Sequence, residues 1–323
     1  MRKPLTRSEI LDLYYVEARH KMIDLGAFLD RVARATGEDD FRMAAFHCAL
    51  AELCSREPQA AKRILLAFSD PTDDYISMVA SGCAAVCEPA FWAGFDRGSA
   101  DSFHDYFLQL TDYEPKRAAK FGLPHFCWLC INPKESEDVG LAKEVLALIP
   151  EFIDRPNVLG IGEIGLNKNS RNELEVLEMH IELAASHDQL ILAHTPHLED
   201  KLKGTRLTLD ALRNNSRIKP ERVIIDHVEE HTVEMVLDAG FWAGMTLYPG
   251  SKCSPVRAID IVETYGAERL WMNSACDWGV SIPLSIPYTA MEMRRRGHSA
   301  DAVDALIYQN PLEFMSQCLK FKL

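Results

Sequence analysis

Four side chains, each closing a separate apolar run, carry the chemistry available to this sequence. Val158 to Leu166 reads V-L-G-I-G-E-I-G-L and holds a single charge, Glu163. Ile191-Leu-Ala193 ends at His194, Val223-Ile-Ile-Asp226 at His227, and Leu270 to Cys276 at Asp277. A lone carboxylate in an apolar strand is costly unless something cationic meets it. Two imidazoles and two carboxylates are borderline and hard donors, the set that suits a divalent ion such as Zn, Mn or Mg. Such an ion activates water for hydrolysis. The four tips meet only if their strands are parallel and curl into a barrel, where functional groups gather at the C-terminal ends.

The rest of the chain supplies that barrel. Apolar runs recur at Cys83–Glu88, His125–Ile131, Val158–Leu166, Leu190–His194, Val223–His227, Phe241–Leu247 and Leu270–Cys276. Helical patterns fill the gaps, at Leu141–Leu148, Glu173–Ser186, Leu207–Leu212, Val233–Leu237 and Arg257–Tyr265. Alternating strands and helices mean parallel βαβ units. Seven strands are clear, and Ile64–Phe68 is either an eighth or the end of a helix. The fold class is therefore α/β, a TIM (β/α)8-type barrel with an aberrant or missing first strand, over about 250 residues. Ahead of it, Ser8-Glu9 starts a long amphipathic helix running to about Thr36, and a second helix covers Phe41 to Cys54. Residues 1–62 read as a helical module and 63–323 as the barrel domain.

Composition narrows the function. The 323 residues carry a net charge of -13. Residues 1–70 hold equal numbers of acidic and basic side chains, so the excess lies entirely in the barrel segment. Such a surface repels a phosphate backbone, making nucleic acid an unlikely partner and a small molecule the expected substrate. Arg294-Arg-Arg296, the densest basic run, reads as a solvated helix end. No apolar stretch is long enough to span a membrane and no leader is visible. Nine cysteines, an odd number set largely in apolar runs, read as reduced thiols of a cytoplasmic protein. Cys127-Trp-Leu-Cys130 lies inside a strand-like run, which argues against a zinc or redox role.

Gly162-Glu-Ile-Gly-Leu166, Ala193-His-Thr-Pro196, Ile225-Asp-His227 and Asp277-Trp-Gly279, in this order, resemble the TatD-related metal-dependent hydrolases of the amidohydrolase superfamily. Glu88-Pro-Ala-Phe-Trp92, Thr195-Pro-His197 and Ser274-Ala-Cys-Asp-Trp-Gly279 bring the likeness nearest to the TatD-like branch found in Ebo gene clusters. It runs from about Thr72 to the C-terminus. The resemblance implies that Glu163 bridges two metals, that His194 and His227 complete one site, and that Asp277 serves the other and steers the attacking water. It also implies an H-x-H pair on the first strand, where this chain reads Ile64-Leu-Leu-Ala-Phe68, with no histidine between His47 and His104. Three readings stay open. One ion remains on Glu163, His194 and His227 with Asp277 close by. Or the barrel is catalytically silent and acts as a binding or scaffold protein. Or His47 or His20 of the helical module reaches over the barrel mouth.

The first of these is the working expectation: metal-activated water attacking an ester, amide or phosphodiester bond, with one ion rather than two. Glu163 and Asp277 would be catalytic. Substrate-binding candidates are Glu88 and Tyr248 at strand ends, His197 after the fourth-strand histidine, Arg97, and Lys203 and Arg206 in a Lys203-Gly-Thr-Arg206 loop offering cations to an anionic group. Asp226, next to His227, is expected to point the other way and to be structural. The N-terminal helices could join a second copy or a protein partner.

Overall fold

A computed structural model describes residues 6–37, 41–55, 60, 64, 71–196, 200–248, 251–275 and 282–323. The chain divides into two compact units, Met1–Pro71 and Thr72–Leu323.

In the first unit, α1 spans Arg7–Arg34 and α2 Phe41–Cys54. The helix start lies at Thr6, not Ser8: the Thr6 hydroxyl accepts the Glu9 amide while the Glu9 carboxylate bonds back to the Thr6 amide. That reciprocal pair satisfies amide hydrogens that would otherwise be orphaned at the helix end. Leu13, Tyr14, Val16, Met22 and Ile23 are exposed along α1. Ile64 is helical, and the remainder of the Ile64–Phe68 segment lies outside the described residues.

A helix, α3 (Pro71–Ala80), begins at the last residue of the first unit and leads the second unit. Its sheet contains β1 (Val86–Glu88), β2 (His125–Leu129), β3 (Val158–Gly165), β4 (Leu190–His194), β5 (Val223–Ile225), β6 (Trp242–Leu247) and β7 (Leu270–Ser274). All pairings are parallel, and the order in space is the order in sequence. Helices intervene, among them α4 (Ala100–Leu108), α5 (Glu114–Ala119), α6 (Val139–Leu148), α7 (Arg171–Ser186), α8 (Lys201–Asn214), α9 (Val233–Asp238), α10 (Pro255–Tyr265), α11 (Ser285–Arg295), α12 (Ala300–Asp304) and α13 (Asn310–Met315). The seven expected strands are all present, in a curled α/β half-barrel. Among the described residues no helix is long and apolar enough to cross a membrane.

Two apolar layers hold the sheet. Its outer face packs on the helices through residues such as Val158, Ile161, Ile191, Ile225 and Ala243. Its inner face gathers Phe126, Trp128, Leu159, Leu190, Leu192, Ile224, Trp242 and Trp271, closed by Phe314, Met315 and Cys318 from the C-terminal segment. The Phe314 ring sits 5.0 Å from Trp271 and 5.7 Å from Trp242. This packed floor leaves the C-terminal strand ends as the place for polar groups.

Candidate metal centre

Glu163 turns inward because β3 carries a bulge at that point. The β3–β4 register runs Gly162 opposite Leu192 and then Ile164 opposite Ala193, so Glu163 is the extra residue. A bulge re-aims a side chain at the cost of one ladder position. The flanking glycines permit close pairing: a Cβ on Gly165, where φ is +146°, would stand 2.2 Å from the His194 carbonyl oxygen. His194 reaches the same face by ordinary alternation through Leu190 and Leu192. His227 lies beyond the end of β5 with φ +62°, and this left-handed residue swings its ring back toward Glu163.

The three side chains meet. Glu163 Oε1 lies 3.0 Å from His194 Nδ1 and 2.7 Å from His227 Nε2, and the two rings are edge to face at 4.7 Å. All three are buried or nearly so. Glu163 Oε2 accepts from the Asn132 amide at 3.2 Å. Burial raises the Glu163 pKa, but the two imidazoles outweigh it and hold the carboxyl well below the ordinary range. Burial, with the Lys252 ammonium nearby, pushes the His227 ring down to about 4 against the pull of Asp226 and Glu163. Near neutral pH the centre is therefore an ionised carboxylate beside a neutral imidazole.

The proton on that imidazole can be placed. The Thr246 hydroxyl donates to Asp226 Oδ1 at 3.0 Å, so toward His227 Nδ1, 2.7 Å away, it can only accept. His227 then carries its proton on Nδ1, and its Nε2 lone pair faces a carboxylate oxygen at 2.7 Å. A proton or a metal ion beside both atoms satisfies this pair. His194 Nε2 is likewise buried, with no hydrogen-bond partner among the described residues. The donor set, a carboxylate and two imidazoles within 4.8 Å of one another, is one that holds a divalent transition ion. The residues present fit a metal.

Three residues that sequence reasoning passed over support the centre. Asn132 follows β2, Thr246 sits in β6 and Asn273 in β7, where its amide donates to Asp226 Oδ1 at 2.9 Å. Each is a polar residue at the C-terminal end of an apolar run, so the criterion that found Glu163 applies to them as well. Asp226 does not point away. Ile224 and Asp226 share the inner face, and a Cβ on Gly244 would meet Asp226 Oδ1 at 2.6 Å. The expectation counted back from His227, but alternation runs through Ile224 and Asp226, and it is His227, at φ +62°, that departs from it.

Other candidates fall elsewhere. Glu88 shares a face with Val86, which packs on Tyr75, Ala118 and Leu123, and its carboxylate bonds His125 Nε2 at 2.8 Å. It is turned to the outside of the sheet. Arg97 is buried in an ion pair with Glu135 at 2.7 Å, with its guanidinium 4.1 Å from the Tyr106 ring centre. Its donors are committed to folding. Lys203 and Arg206 are exposed on α8, not in a loop: Asp200 caps the helix, and Gly204 is there because a Cβ would lie 2.3 Å from Asn169 Oδ1. Tyr248 stands half-buried just beyond β6. His197 and Asp277 lie outside the described residues.

Known proteins share this fold. Residues 108–275, just over half the chain, match the model of the TatD related DNase family. An uncharacterised metal-dependent hydrolase of Methanocaldococcus jannaschii is 25% identical over 245 residues, covering 75% of this chain and 94% of that protein. The crystal structure of a TatD-like protein from Archaeoglobus fulgidus superposes with a TM-score of 0.62 at 26% identity, covering 75% of this chain and 93% of the other. A phosphotriesterase homology protein from Escherichia coli, solved with phosphate in its active site, shares the fold at 14% identity and a TM-score of 0.57, over 75% and 87% of the two chains. A sequential parallel sheet, a carboxylate and two imidazoles at its strand tips, and this match over half its length place the chain in the TatD-related DNase family of metal-dependent hydrolases.

Proposed function

We propose that the protein hydrolyses an ester, amide or phosphodiester bond of a small molecule, using a metal held by Glu163, His194 and His227. The observation that carries this reading is the convergence of the Glu163, His194 and His227 ligand atoms within 4.8 Å of one another. When bound, the ion supplies Lewis-acid polarisation of the scissile bond and a water acidic enough to ionise near neutrality. The chain's own groups do the rest. Thr246 and Asp226 hold the His227 tautomer, and the buried triad keeps bulk water from the donors. Asp277, on the segment after β7, accepts the proton of the attacking water. Tyr248 and His197 would contact the substrate. A small substrate is preferred over a nucleic acid because Arg295 and Arg296 are paired with Glu292, Asp260 and Glu263, which removes the densest basic run as a phosphate track. A partner or second copy would use the apolar side chains exposed on α1.

A silent barrel is favoured by one observation, the absence of histidine between His47 and His104. Metal analysis of protein purified without added metal separates the readings. One equivalent of zinc, manganese or iron, lost in Glu163→Ala and His194→Ala, supports the hydrolase. A metal-free protein whose melting is unchanged by chelator supports the scaffold.

A further inference from the structure

The second oxygen of Glu163 has a dedicated partner. Asn132 is buried at 4% exposure, and its Nδ2 donates to Glu163 Oε2 at 3.2 Å and to the Ala90 carbonyl at 3.4 Å. The orientation of this amide is fixed on its other side, where Oδ1 accepts the Lys134 backbone N–H at 3.1 Å. Flipping it would set an oxygen against two acceptors and strand the Lys134 amide, so the N–H must face Glu163. The turn that carries Asn132 is held as well. Ser136 Oγ donates to the Asn132 carbonyl at 3.0 Å, and Cys130 Sγ donates to the Glu163 carbonyl at 3.0 Å. The carboxylate is thus split in function: Oε1 toward the two imidazoles, Oε2 toward an amide donor.

An oxygen held against an amide N–H and turned away from the imidazoles is poorly placed to ligate the ion that Oε1 shares with them. We propose that Asn132 is a positioning residue that caps Glu163 Oε2, so that Glu163 holds a single ion through Oε1 alone. This rests on the metal-binding reading above and adds to it the residue that keeps Glu163 a one-oxygen ligand of one ion. The chain's Ile64-Leu-Leu-Ala-Phe68 agrees, since no imidazole stands in that stretch to hold a second ion.

The test uses the metal-free full-length chain titrated with Mn2+ and with Co2+. The expected wild-type result is one Mn2+ per chain, with the resolved hyperfine signal of an isolated ion in electron paramagnetic resonance. Asn132→Ala frees Oε2 to join the same ion. Its Co2+ complex should lose the intense visible band of four-coordination, and its affinity should change by ~10-fold or more, as for other groups that orient a ligand. A general loss of packing would not move the visible band in this direction. Two spin-coupled Mn2+ ions in the wild type overturn the inference and leave the hydrolase reading standing. An Asn132→Ala protein with the wild-type spectrum and affinity overturns it too. A chain that binds neither ion removes both readings. Should Asn132→Ala lose its cooperative melting transition, the wild-type ion count decides.

Discussion

Replacing Thr246 with valine tests the His227 arrangement most directly. Valine matches threonine in shape, so the β6 backbone and the 2% exposed side-chain site are preserved. What disappears is the hydroxyl that accepts from His227 Nδ1 at 2.7 Å and donates to Asp226 Oδ1 at 3.0 Å. The nearest remaining acceptor for the imidazole proton is Asp226 Oδ2 at 3.4 Å, too far for a good bond without a shift. Leaving a buried donor unsatisfied costs ~1–3 kcal/mol. Ring orientation and tautomer also loosen, and loss of such an outer partner lowers metal affinity by about 10- to 100-fold, or ~1.4–2.7 kcal/mol. Calorimetric titration of the metal-free protein with Co2+ reads the affinity, and urea denaturation in chelator reads the stability. Unchanged Co2+ affinity in Thr246→Val would refute the argument that this hydroxyl places the proton on Nδ1.

Three further outcomes follow from the geometry. His180 accepts the Ile131 amide on Nε2 and bonds the Val176 carbonyl through Nδ1, and burial pushes its pKa down to about 4 from 6.5. The unfolded chain therefore binds more protons between these values. Stability present above pH 6.5 is lost as pH falls toward 4, by about 3 kcal/mol in all; His180→Gln should flatten that slope in denaturation curves taken near pH 7 and about pH 5, and an identical slope would refute it. Arg97→Met strands the buried Glu135 carboxylate and should destabilise the fold by about 3 kcal/mol while leaving Co2+ affinity at the wild-type value. A tenfold loss of that affinity would return Arg97 to the site. Gly165→Ala drives a Cβ to within 2.2 Å of the His194 carbonyl oxygen at a φ reserved for glycine; we expect a loss of about 3 kcal/mol or more together with weaker metal binding, and a wild-type melting temperature would contradict this.

The sheet was legible because parallel strands buried on both faces leave continuous apolar runs, and all seven have them. Glu163, His194 and His227 were legible because a charge or imidazole closing such a run is conspicuous. What failed were inferences resting on ideal geometry. Strand alternation assigned Asp226 to the wrong face, since no pattern in Val-Ile-Ile-Asp-His marks the left-handed turn at His227. Gly204 resembled a loop residue, but it is a helical contact point, which only the tertiary neighbours Asn169 and Pro196 reveal. Arg97 read as a free cation because its partner, Glu135, lies 38 residues away and carries no local signature. Asn132 and Thr246 went unnoticed for another reason: neutral amides and hydroxyls attract less suspicion than charges, although their hydrogen bonds decide what the charges can do.

The inner floor of the sheet is sealed by Phe314, Met315 and Cys318, with the Phe321 ring tilted against Phe126 at 4.7 Å. During synthesis, β1 through β7 leave the ribosome before this stopper does. Trp128, Trp242 and Trp271 stay unsheltered until residues 314–318 have been made, so the inner face of the sheet closes only after all seven strands are out.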